Sequence, residues 1–319
     1  MTSEVTQDSI DPALLKRAER NREPGEFGLK TKIVWKNIFL ISFVHVLGLA
    51  GMLVAPFTSW ATWTFFCFYY LISGLGVTAG AHRLWTHKTY KARLPIRIML
   101  MLFNCISFQN NILEWSRDHR VHHKFTETDA DPHDARRGFF FAHMGWLMMR
   151  KHPDVLLKGR LVDMSDLKSD PIVMFQRKYY YFLAIICSVA IPTVAPWYFW
   201  NESPLYAFLV CAAFRYMMSL HVTWLVNSAA HLYGAKPYDK TINPTDNWLV
   251  SLSTIGEGFH NYHHVFPFDY ATSEWGPSLN ITTCFIDFWG ALGLVYDRKQ
   301  VSSNSILRVR QRLGNLSEH

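Results

Sequence analysis

The sequence is short of cysteine and short of charge. Five cysteines stand among 319 residues (Cys67, Cys105, Cys187, Cys211 and Cys284), and no two of them form a CxxC pair. That excludes a disulfide framework and a zinc ribbon, and the five read as reduced core residues. Charged residues are 18% of the chain. There is no internal repeat, no low-complexity tract and no linker that would divide two domains. The first 28 residues, MTSEVTQDSIDPALLKRAERNREPGEFG, lack the apolar stretch of a cleavable signal and read as a mobile cytosolic tail.

What is abundant is apolar. Half the residues are hydrophobic, with 12 Trp and 23 Phe. Four runs are long enough to cross a bilayer, which takes about 20 apolar residues. They lie at about 37–55, 60–79, 179–200 and 205–226. Pro192 and Pro196 are expected to kink the third, as membrane helices tolerate. The links PFTSW and NESP contain no Lys or Arg, whereas the other three segments hold nearly all the basic residues. By the positive-inside rule both links face the lumen, and both termini and the two long segments face the cytosol. The net charge of +7 is then mostly topology and does not imply nucleic-acid binding. Two shorter apolar stretches, 94–108 and 281–296, read as helices lying on the cytosolic membrane face. The pattern predicts an all-α integral membrane protein, four transmembrane helices carrying a cytosolic helical cap.

Nine of the fifteen histidines are clustered just beyond these runs. His82 and His87 lie in HRLWTH, and His119, His122 and His123 in HRVHH. His231 ends NSAAH, and His260, His263 and His264 lie in HNYHH. Residues at i, i+3 and i+4 share a helix face, so each HxxHH can aim three imidazoles one way. The i, i+5 pair fits an α-helix less well. Nine imidazoles exceed the needs of one ion, and two ions with four or five ligands each would use them all; ligand type alone admits Fe, Zn, Cu or Ni. His45, His133, His143, His152, His221 and His319 read as ordinary surface or core residues. A metal transporter would place its polar ligands near the bilayer midplane, whereas these nine lie beyond the span ends.

In this order, and split by two pairs of spans, HxxxxH, HxxHH and HxxHH resemble the membrane fatty-acid desaturases. The fuller strings GAHRLWTH, EWSRDHRVHHKFTETDADPH, WLVNSAAH and GEGFHNYHH are similar to the acyl-CoA delta-9 desaturases, over about residues 30 to 300. The resemblance implies a desaturase domain at 31–300 between the N-terminal tail (1–30) and a basic cytosolic C-terminal tail (301–319). It implies a di-iron centre in the cap. One iron would be held by His82, His87, His119, His123 and His263. The other would be held by His122, His231, His260 and His264, with Asn227 reaching it through a water. Asp118, Asp131 and Glu257 are candidates to orient the imidazoles. The implied reaction is O2-dependent cis-desaturation of a saturated acyl-CoA at C9 and C10; a membrane di-iron fatty-acid hydroxylase is the alternative.

The same resemblance assigns acyl-CoA contacts to Asn37, Asn110, Arg117, Asp118, Arg150, Lys151 and Trp224. Gln109, Trp115 and Thr223 would bend a substrate tunnel, and Tyr70 and Gly74 would close its end. Palmitoyl and stearoyl chains both remain open. No haem-binding HPGG follows Tyr296, so electrons are expected from a separate cytochrome b5 and its NADH-dependent reductase, in the endoplasmic reticulum membrane. Arg215 lies inside the fourth run, where a charge is expensive and faces the bundle interior or snorkels.

Overall fold

The computed structural model of the protein describes residues 12–21 and 30–314; the expectation of a mobile tail falls largely on residues outside these. Four helices among the described residues are long and apolar enough to cross a membrane: Trp35–Phe57, Trp60–Thr86, Pro171–Trp200 and Pro204–Leu232. All four outrun the sequence-derived bounds. The second reaches Thr86 and so carries His82, and the fourth reaches Leu232 and carries His231. Their outer faces expose Phe39, Phe43, Leu53, Tyr181, Phe182 and Phe199, the belt that lipid covers.

The two links meet at one end of the bundle. Ser59 accepts the Thr62 amide and caps the second helix. The Glu202 carboxylate of the other link accepts from the Ser59 amide at 3.0 Å and the Thr62 hydroxyl at 2.6 Å. First and fourth spans approach closely at Gly51, where a Cβ would lie 2.0 Å from the Leu209 carbonyl oxygen.

Three spans contain π-helical turns: Gly76–Thr86, Ile186–Ala190 and Phe208–Phe214. In the third span, α geometry is left at Tyr179 (φ −108°, ψ 16°) and in the π turn just before Pro192, rather than at Pro196. Arg215, fully buried, donates to the carbonyls of Cys211, Ile106 and Ser188 and to the Ser188 hydroxyl, at 2.8 to 3.3 Å. Backbone and hydroxyl oxygens therefore satisfy it in place of a carboxylate.

The cap is built on the other end. Leu94–Ser107 buries Ile96, Leu100 and Met101 against the second and third spans and exposes Leu94 and Ile98. It bends by 81° into Ile112–Phe125, which carries HRVHH. Ile281–Ala291 is likewise too short to span, and a two-residue antiparallel pairing joins Lys91–Ala92 to Val295–Tyr296. Beyond residue 300, Ser303–Leu313 is a helix, and its buried Ile306 packs with Val301 on Tyr238, Tyr262 and Phe266. All five cysteines are free, but Cys67 and Cys284 are exposed rather than in the core.

Candidate metal centre and substrate cavity

Four chain segments bring nine imidazoles together. The second span ends in a π turn, so the His87 amide reaches the His82 carbonyl at 3.0 Å. This five-residue turn brings together an i, i+5 pair that α geometry would splay, and the two rings meet edge to face with centres 4.9 Å apart. Ile112–Phe125 supplies His119, His122 and His123; Ala229–Leu232 supplies His231; His260–Val265 supplies the rest.

The ring nitrogens gather in two groups. His82, His87, His119, His123 and His263 form one, and His122, His231, His260 and His264 the other, each with its donor atoms within 4.8 Å of one another. These are the two sets the resemblance implies. The three imidazoles of an HxxHH do not point one way, however. The i, i+4 residues of each motif enter one group and the i+3 residue enters the other.

Nε2 atoms converge in both groups. His263 Nε2 lies 3.0 Å from those of His82 and His123, His119 Nε2 is 3.1 Å from that of His123, and His260 Nε2 lies 3.0 and 3.1 Å from those of His231 and His264. Acidic groups hold the opposite nitrogens. Glu257 takes His82 Nδ1 at 2.9 Å, Asp131 takes His122 Nδ1 at 2.9 Å, and Glu127 stands 3.5 Å from His231 Nδ1. A proton fixed on Nδ1 leaves the Nε2 lone pair facing the centre, as a metal requires. Burial first, and neighbouring imidazoles second, push His87, His119, His123, His260, His263 and His264 well below the usual histidine range, so their rings are neutral. Finally, His87 Nε2 is buried with no hydrogen-bond partner. A convergent, all-nitrogen set with an orphaned donor atom fits metal ions.

Of the three acids singled out in the sequence, Asp131 and Glu257 face histidines. Asp118 instead pairs with Arg117 and Lys151. Two contributors were not singled out in the sequence: Glu127, and the fully buried Arg83. The Arg83 guanidinium donates twice to Glu257, at 3.0 and 2.8 Å, and to the carbonyl oxygen of Tyr270, the Thr283 hydroxyl and Asn280 Oδ1. Burial would push the Glu257 carboxyl up; Arg83 and His82 outweigh it and hold the group at about 2. An arginine beside a ligand histidine in an otherwise apolar run was the available hint.

A largely apolar cavity opens against these groups. His82, His119, His260 and Asn227 form part of its wall. It continues along the second span past Thr78, Val77, Gly74 and Tyr70, and along the fourth past Val226, Thr223 and Ser219. Gln109 donates to the Thr223 hydroxyl at 3.0 Å, and Trp115 stacks on His119 with ring centres 4.9 Å apart. Tyr70 donates to the Ser253 carbonyl, and a Cβ on Gly74 would meet Ile255 Cδ1 at 3.0 Å. Thus Tyr70, Gly74, Gln109, Trp115 and Thr223 line the cavity. Asn37, Asn110, Arg117, Asp118, Arg150, Lys151 and Trp224 do not. Asn37 donates to the Leu147 carbonyl, next to the segment bearing Arg150 and Lys151.

Comparison with known proteins converges with this geometry. A model of the family "Fatty acid desaturase" matches residues 58–274. Stearoyl-CoA desaturase 5 of Bos taurus is 54% identical over 294 residues, 92% of this chain and 87% of the relative. An acyl-CoA desaturase of Cyprinus carpio is 56% identical over 286 residues, 89% and 88% of the two chains. Stearoyl-CoA desaturase of Homo sapiens is 54% identical over 286 residues, 90% and 80%. With four membrane-crossing helices and two histidine groups at the head of an apolar cavity, this chain belongs to the fatty acid desaturase family.

Proposed function

We propose that the protein is an acyl-CoA delta-9 desaturase. A saturated acyl-CoA, O2, two electrons and two protons give the cis-C9 alkene and two waters. The observation that carries this reading is the apolar cavity walled at one end by His82, His119, His260 and Asn227. A methylene chain lying in it would pass both histidine groups, and a bend held by Gln109, Trp115 and Thr223 suits a cis product. The metals would be two irons, on the two histidine sets, with Asn227 acting through a water on the second. A bound iron pair would supply O2-derived oxidation of an unactivated methylene, which zinc, fixed in oxidation state, cannot. Arg150, Lys151 and Arg117 suit CoA phosphates, with Asn37, Asn110, Asp118 and Trp224 beside them.

Electrons would come from cytochrome b5 and its NADH-dependent reductase. The protein would lie in the endoplasmic reticulum membrane with both termini in the cytosol, as the two links without Lys or Arg at one end of the bundle support. Residues 31–300 would form the desaturase domain.

The test is expression in yeast lacking its own desaturase, with double-bond position read by mass spectrometry. A C9 monoene that disappears in His263→Ala at equal protein level is the expected result. Hydroxylated acid in its place would make the protein a hydroxylase.

A further inference from the structure

Six of the fifteen histidines lie outside the two groups, and three of those are joined to one another. His45 Nδ1 meets the Ile41 carbonyl at 2.7 Å, and His45 Nε2 meets His221 Nε2 at 2.9 Å. His221 Nδ1 meets His143 Nε2 at 3.0 Å, and His143 Nδ1 meets the Ser228 hydroxyl at 2.9 Å. The chain ties the first span, the fourth span and the Phe141–Gly145 segment together. It is no ion site, because His221 spends opposite nitrogens on two neighbours and the three rings share no centre.

The proton count leaves no slack. A neutral imidazole carries one N–H, so three such rings bring three donors to four contacts. The Ser228 hydroxyl donates to the Trp224 carbonyl at 2.9 Å, so with every N–H pointing toward Ile41 the rings serve three of the four contacts and His143 Nδ1 is left facing the Ser228 oxygen. Any replacement in the middle leaves polar nitrogens unpaired in a bundle that offers few substitutes.

The three rings enclose Trp224, their centres 6.3, 5.6 and 5.2 Å from its own for His45, His143 and His221. Trp224 is 3% exposed, and its indole N–H has no hydrogen-bond partner among the described residues. Unlike the indole N–H groups of Trp146 and Trp289, it is not sealed among the fully buried unpaired atoms. The residue stands between two surfaces. Thr223 and Asn227, its neighbours on the fourth span, line the apolar cavity. The segment that supplies His143 leads within a few residues to Arg150 and Lys151. On the desaturase reading, what lies between an acyl chain and its phosphates is a run of carbonyl acceptors, the thioester and amides of the CoA arm.

We propose that the His45–His221–His143 chain is a strut that sets the Trp224 indole to donate to that carbonyl-bearing arm, with His221 as the positioning residue. The inference rests on the acyl-CoA reading, and a double-mutant cycle separates the two. Stearoyl-CoA affinity is measured on metal-loaded wild type, His221→Leu, Trp224→Phe and the double variant, alongside metal content and turnover. His221→Leu is expected to weaken binding about tenfold with metal content unchanged, and saturated turnover to fall far less than affinity. In the Trp224→Phe background the same change is expected to weaken binding less than twofold. His221→Gln, whose amide can both donate and accept, should recover part of the loss, and it replaces His221→Leu in the cycle if that variant does not fold. Equal effects in both backgrounds, or unchanged affinity, overturn the strut. Absence of wild-type monoene formation with the coupling intact would instead overturn the desaturase reading and leave the strut standing.

Discussion

Glu257 joins two requirements that the sequence keeps far apart. It holds the His82 ring by Nδ1 and neutralises Arg83, 174 residues away in the chain. Removing one partner of a buried pair strands the other charge, which costs about 3–5 kcal/mol. Glu257→Gln is therefore expected to lower the Tm by roughly 5–15 °C at neutral pH and to weaken metal binding by about 10- to 100-fold. The carboxyl lies at about 2 in the folded protein, below the ordinary 4.5. Its stabilisation is present above pH 4.5 and is lost as pH falls toward 2. The Tm difference between wild type and Glu257→Gln should accordingly be widest from pH 6 to 8 and narrow below about pH 4.5. Thermal unfolding across that range checks it, and a gap that does not change with pH would refute the charge-based account. Sequence spacing made the nine histidines legible because each cluster is local. It could not show Arg83 or Glu127, whose partners come from distant segments.

At the scale of elements, the departures from α geometry account for most of what the apolar pattern could not reveal. Hydropathy located four helices but says nothing about turn size. A π turn is what makes HRLWTH into a pair of neighbouring rings. Two further π segments lie around Arg215, whose guanidinium takes the carbonyls of Cys211 and Ser188, one from each segment. In hydrocarbon, such carbonyls have no water to turn to. The arginine thus acts as a clamp between third and fourth spans, joined to Leu94–Ser107 through the Ile106 carbonyl. Arg215→Leu would leave those oxygens unpaired at about 1–3 kcal/mol each. It is expected to destabilise the protein in detergent by several kcal/mol. Arg215→Lys should regain part, because an ammonium donates but reaches fewer of the acceptors. A leucine variant as stable as wild type by thermal unfolding would show that the clamp contributes nothing.

For the whole molecule, the candidate metal centre is also the joint between bundle and cap. Its nine imidazoles come from the second span, Ile112–Phe125, Ala229–Leu232 and His260–Val265. Without ions, nine buried or half-buried rings converge on one another with at least one nitrogen unpaired. Binding therefore contributes directly to the stability of the cap. The spans depend on apolar burial and their own backbone bonds, so they should be indifferent to the metal. Chelation is expected to lower the Tm by roughly 10 °C or more and to open the chain to protease in the cap, chiefly within residues 233–300. Helix content by circular dichroism should change little. Zinc added back should restore the Tm and the protease resistance but not turnover, because it meets the ligand geometry and lacks the redox chemistry. Iron should restore both. If chelation left thermal stability and cleavage untouched, the histidine groups would not be the joint, and the cap would be held by its apolar contacts and the Arg83 network alone.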